Sequence, residues 1–168
     1  PFGRTQSPVH VAVGNFDEDA AQEIVATRGG KEGTNLVRIF DANGQYIREF
    51  LPQGHEAGID VAVMRAKGSP MDQILLSSDT GSAPWISVYS GMGVQLYSAL
   101  AYHERFIGGV QIVSGDIDQN GTAEIYTVPK KAGGPHVRLF NGQTEPIGSF
   151  FPFESKNRFG LSIAIWNP

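Results

Sequence analysis

The residues best suited to chemistry in this chain form one run, Asp116-Ile117-Asp118-Gln119-Asn120-Gly121-Thr122-Ala123-Glu124. Oxygen-bearing side chains stand at its positions 1, 3, 5 and 9, with a glycine at position 6. Alternate residues of a tightly curled loop point inward, so this spacing gathers hard oxygens around one centre. Thr122, at position 7, can add its backbone carbonyl. Ca²⁺ takes six to eight such oxygens at about 2.3–2.6 Å, and the glycine admits the sharp turn that the loop needs. A solvated acidic turn would use the same residue types; the agreement of spacing, ligand type and glycine favours the ion.

Two other runs stand at the same place in the chain's repeat. Asn15-Phe16-Asp17-Glu18-Asp19-Ala20-Ala21-Gln22-Glu23 keeps the oxygens as Asn15, Asp17, Asp19 and Glu23, with Ala21 offering its carbonyl. Ala20 replaces the glycine, which would cost about 1 kcal/mol if φ is positive there, so this loop is expected to bind more weakly. Arg65-Ala66-Lys67-Gly68-Ser69-Pro70-Met71-Asp72-Gln73 puts Arg, Lys, Ser and Gln at the ligand positions and is expected to hold no divalent cation. There the Lys67 ammonium would neutralise nearby carbonyls in place of a metal.

These loops need strands to hold them. Val11, Val61, Ile112 and Ile163 open successive units at intervals of 50, 51 and 51 residues, a period typical of repeat architectures. A second apolar segment follows at Ile24-Val25, Ile74-Leu75 and Ile125-Tyr126, and a third at Val37–Phe40, Ile86–Tyr89 and Val137–Phe140. After a Gly/Asn turn, a fourth segment returns through Ile47 and Phe50, Leu96 and Tyr97, or Ile147 and Phe150. Val9/Val11/Val13, Ile59/Val61/Val63 and Leu161/Ile163/Ile165 alternate with smaller or more polar residues, the period-two pattern of a strand with one buried face. With 21 glycines, 10 prolines and no long helical stretch, the chain reads as all-β, built from four-stranded antiparallel β-propeller blades. Blade 1 is expected over about 9–54, blade 2 over 58–104, blade 3 over 109–155, and an orphan strand over 161–166, all within one repeat domain spanning 1–168. Propellers usually close with four to eight blades, so further blades or partner chains are expected to complete the array.

Composition excludes several function classes. A net charge of −4 supplies no basic footprint for nucleic acid, and no apolar run approaches the roughly 18 residues of a membrane span. The absence of cysteine excludes disulfides and thiolate zinc sites. The four histidines, His10, His55, His103 and His136, show no H-E-x-x-H spacing; no G-x-S-x-G nucleophile turn or phosphate-binding glycine loop occurs. No catalytic residue is expected. Trp85, after Pro84, could stack on a sugar ring, although packing is the commoner role, and Trp166 is expected to pack against a neighbouring element. Asn120-Gly121-Thr122 also fits a glycosylation sequon, but Asn120 is better used as an ion ligand.

The stretches Gly115-Asp116-Ile117-Asp118-Gln119-Asn120-Gly121 and Gly133-Gly134-Pro135-His136-Val137-Arg138-Leu139-Phe140 resemble the FG-GAP/VCBS repeat family. That family includes bacterial secreted and surface proteins and, more distantly, the integrin α-chain propeller. The 116–124 loop of this chain is similar in spacing to an EF-hand loop, but strands replace the flanking helices and no glutamate stands at position 12. The resemblance implies a calcium-stabilised extracellular or cell-envelope module that binds a protein or glycan, or serves in adhesion or surface structure, without catalysis. Two alternatives stay open: part of a secreted carbohydrate-active enzyme or lectin, and a subunit of a surface filament assembled by strand pairing.

Overall fold

The computed structural model describes residues 7–30, 35–65 and 68–165. Among the described residues there is no helix, and twelve strands form three separate antiparallel sheets. The first contains β1 (Val9–Gly14), β2 (Glu23–Arg28), β3 (Val37–Phe40) and β4 (Tyr46–Phe50). The second contains β5 (Ile59–Arg65), β6 (Asp72–Ser78), β7 (Trp85–Tyr89) and β8 (Gln95–Leu100). The third contains β9 (Val110–Gly115), β10 (Glu124–Pro129), β11 (Val137–Phe140) and β12 (Pro146–Phe150). In each sheet the strands lie side by side in chain order, a meander that needs only short connections.

Local chemistry repeats with the sheets. The third and fourth strands of each sheet slip register at the same place, between Ile39 and Phe40, Val88 and Tyr89, and Leu139 and Phe140. The turn that follows is closed by Asp41, Ser90 or Asn141, whose backbone N–H donates to the carbonyl of Gln45, Val94 or Glu145. Its left-handed position is Gly44 in the first sheet and Gly93 in the second, where glycine carries no Cβ penalty.

The sheets pack face on face, with β5 lying against both β1 and β9. One core joins the first two sheets through Val25, Val37 and Ile39 on one side and Ile59, Ile74 and Leu76 on the other. The second joins the next pair through Met64, Leu75, Ile86 and Val88 against Val110, Ile112 and Ile125. Successive residues of a strand point to opposite faces, so Ile74 and Leu76 serve one core and Leu75 the other. This is why β6 is buried along nearly its whole length instead of alternating.

The outer sheets depart from the pattern expected of a half-buried strand. Val61 and Ile112 are 7% and 3% exposed, yet Val11, their counterpart in the repeat, is 62% exposed together with Val9 and Val13. The alternation is present in β1, but no sheet covers that apolar face among the described residues. At the other end of the stack, Ile147, Phe150, Phe151, Phe153 and Phe159 are exposed. The strand expected over 161–166 does not form across 161–165, where no second strand among the described residues offers a ladder. The segment is nevertheless docked: Leu161 donates to the Pro129 carbonyl at 2.9 Å. The Gln111 amide grips both backbone groups of Ile163 at 3.1 and 3.2 Å. Trp166 lies outside the described residues.

Candidate metal centres

Each acidic loop joins the first strand of a sheet to the second. Asp17, Asp19 and Glu23 form one group and Asp116, Asp118 and Glu124 the other, with one carboxylate oxygen from each member lying within 4.8 Å of the others. In both groups the glutamate is buried, the first aspartate is half-buried and the second is exposed.

The two loops share a device that orients the glutamate. Glu23 Oε2 accepts the Phe16 N–H at 2.7 Å, and Glu124 Oε2 accepts the Ile117 N–H at 3.2 Å. One oxygen of each glutamate thus fixes the carboxylate against the loop backbone. The remaining side chains curl the loop by accepting amides two residues on. Asp19 N–H donates to Asp17 Oδ1, Ala21 N–H to Asp19 Oδ1, Asn120 N–H to Asp118 Oδ1, and Thr122 N–H to Asn120 Oδ1. Such Asx-type turns hold alternate oxygens on one side of the loop. The donor set fits a hard divalent cation: it offers carboxylate and amide oxygens and no nitrogen or sulfur.

The loops differ at their first and sixth positions. In the third-sheet loop, Asp116 accepts the N–H groups of both Asn120 and Gly121, at 2.9 and 2.8 Å. Gly121 is left-handed at φ 84°, and Gln119 before it is left-handed at φ 59°. In the first loop Ala20 is not among the left-handed residues, so the strain expected from the missing glycine does not arise. This loop turns without a left-handed step, and its Asn15 instead uses Nδ2 to reach the Asp19 carbonyl at 2.7 Å.

In the second loop Lys67 lies outside the described residues. Arg65 reaches back to Asp72, with Nε 3.3 Å from Oδ1. Around the loop ends opens a cleft of about 770 Å³, lined in part by Gln22, Arg65, Asp72, Ser114, Asp116 and Gln119.

A second polar constellation sits at the opposite end of the first strands, and the sequence reading did not assemble it. His10 Nδ1 lies 3.3 Å from Asp60 Oδ1, and its Nε2 is 3.6 Å from Asp79 Oδ2. Lys130 Nζ bridges the same carboxylates at 3.2 and 3.1 Å. Burial alone would push the Asp79 carboxyl up. The His10 ring, the Gly30 and Thr80 amides and Lys130 outweigh it and hold the group far below the usual carboxylate range. Four polar side chains from three repeat units are thereby tied together. A faint signal was available: His10, Asp60 and Gln111 occupy one column of the repeat, polar in each unit.

The other residues singled out in the sequence have packing roles here. His55 is buried between two hydroxyls, 2.9 Å from Ser78 Oγ and 3.1 Å from Ser87 Oγ, and burial pushes its pKa down to about 4. His136 stacks on Phe151 with ring centroids 4.3 Å apart, and its carbonyl accepts the Tyr102 hydroxyl. His103 Nδ1 accepts the Arg105 N–H in a turn. Trp85 is half-buried at the start of β7, and a Cβ at left-handed Gly54 would lie 3.5 Å from its ring. No protein-family model matches this chain, and no curated protein sequence matches it.

Proposed function

We propose that the chain is a calcium-stabilised, non-enzymatic binding or adhesion module of the extracellular space or cell envelope, its sheets acting as blades of a propeller-type array. The observation that carries this reading is the pair of matched acidic loops, each bringing three carboxylate oxygens within 4.8 Å and fixing its glutamate by the same amide contact. Asn15, Asp17, Asp19 and Glu23 would hold one ion, with the Ala21 carbonyl. Asp116, Asp118, Asn120 and Glu124 would hold the other, with the Thr122 carbonyl. Bound calcium would supply positive charge to loops that otherwise crowd like charges, locking the strand-to-strand connections. Weak sites of this kind fill at millimolar extracellular calcium and not at cytosolic levels, which supports the location. The cleft between the loop ends gives a protein or glycan ligand a place to dock. Calorimetric titration of metal-stripped protein tests the reading: two sites are expected, and no heat up to several millimolar calcium would overturn it.

The apolar faces at the two ends of the stack, with the docked but unladdered 161–165 segment, favour completion of the array by further blades or partner chains. Sedimentation velocity across a concentration series tests the partner-chain form of this reading. Growth with concentration, lost in Val11→Asp, is expected; an unchanging monomer would count against it.

A further inference from the structure

The second loop carries no carboxylate at its ligand positions, yet it reaches into the first. Asp72, at its position 8, accepts the Asn15 N–H through Oδ2 at 3.0 Å, across a separation of 57 residues. Its own N–H donates to the Asn15 carbonyl at 2.6 Å. Asn15 is position 1 of the first loop, so both of its backbone groups are gripped from the neighbouring sheet. The Asp72 side chain is only 7% exposed, and Arg65, from position 1 of its own loop, approaches the other oxygen. A Cβ at Gly14 would lie 3.0 Å from Asp72 Oδ2 and 2.8 Å from Val63, so the close approach of the carboxylate depends on glycine just before Asn15. Position 8 of the third loop is Ala123, whose side chain cannot brace the second loop in this way.

The two acidic loops therefore fix their first ligand differently. Asp116 is held by two amides of its own loop, beside a left-handed glycine. Asn15 has a neutral side chain and no such glycine, and its backbone is clamped from outside.

We propose that Asp72 is a positioning residue for the ion site of the first loop, so that this site is completed across a sheet boundary by the unit whose own loop lacks carboxylate ligands. The inference rests on the calcium reading of that loop. An outer partner of this kind sets where the ligand oxygen points without touching the ion, and its loss weakens binding while leaving the ligands in place.

Two backgrounds isolate the sites: Asp118→Ala leaves the first loop to titrate, and Asp17→Ala leaves the third. In the first background, Asp72→Ala is expected to weaken calcium binding roughly 10- to 100-fold by calorimetry. Asp72→Asn keeps an oxygen for the Asn15 N–H and should recover most of that loss. In the second background Asp72→Ala should leave affinity within about twofold, because the polar contacts of Asp72 go to Asn15 and Arg65 and not to the third loop. Unchanged affinity at the first loop overturns the proposal. Equal losses at both loops also overturn it, because they report a loosened fold and not positioning. If neither background nor the parent protein takes up calcium, the calcium reading falls and takes the proposal with it; two working sites indifferent to Asp72 remove the proposal alone.

Discussion

His55→Gln replaces a buried titrating ring with a side chain that keeps a donor and an acceptor but takes up no proton. His55 is 1% exposed, and both ring nitrogens meet serine hydroxyls, which carry no charge to favour the imidazolium. Its pKa falls from the ordinary 6.5 to about 4, with burial as the cause. The unfolded chain therefore binds this proton near pH 6.5, while the folded protein refuses it until about pH 4. Stability from the neutral ring is complete above pH 6.5 and is lost as pH falls through the window between those values. Integrated over that window, the loss is about 3 kcal/mol. The assay is urea denaturation of wild type and His55→Gln at pH 7.5, 6.5, 5.5 and 4.5. The variant is expected to be less stable at pH 7.5 and to close most of that gap by pH 4.5. Comparing the two proteins cancels the titration of the acidic loops, which they share. Denaturation curves that stay parallel at all four pH values would refute the argument that burial alone governs this histidine.

Three further outcomes rest on other parts of the structure. Asp79 is held well below its ordinary range, so its contribution is present above about pH 4 and is lost as the solution is made more acidic. Asp79→Asn should cost about 3 kcal/mol at pH 7 by leaving Lys130 and His10 with one carboxylate fewer, and should flatten the acid limb of a stability–pH profile. Leu75→Ala, in the core between the second and third sheets, should destabilise by about 3 kcal/mol in thermal or urea melts. With a Kd of about 0.1 mM, 1 mM calcium should add about 1.4 kcal/mol per loop, raising the melting temperature of stripped protein by several degrees.

Much of the fold was legible because its determinants are local. Period-two alternation, the turn glycines and the spacing of the units all act over fewer than ten residues or repeat at a constant interval. The acidic loops were legible for the same reason: Asn15 to Glu23 and Asp116 to Glu124 are each a single short run. What lay beyond reading was assembled across sheets. His10, Asp60, Asp79 and Lys130 come from three units, and nothing in a strand's own pattern says which charged residue will face it across a sheet boundary. The grip of Asp72 on Asn15 is of the same kind. The exposure of Val11 was hidden for a complementary reason: alternation says which residues share a face, and only the neighbour decides whether that face is covered. Residues 161–165 carried the strand pattern and have no ladder partner among the described residues, so pattern alone did not suffice.

The position of β5 between β1 and β9 has a consequence for how the molecule comes apart. Two boundaries divide three sheets, so the chain behaves as a short linear array whose cohesion is the sum of nearest-neighbour terms. In the isolated chain an outer sheet forfeits one boundary when it opens, and the middle sheet forfeits both. Opening therefore proceeds from the ends inward, a whole sheet at a time. Amide protons of β6 and β7 are then the last to exchange, and those of β4 and β12 among the first.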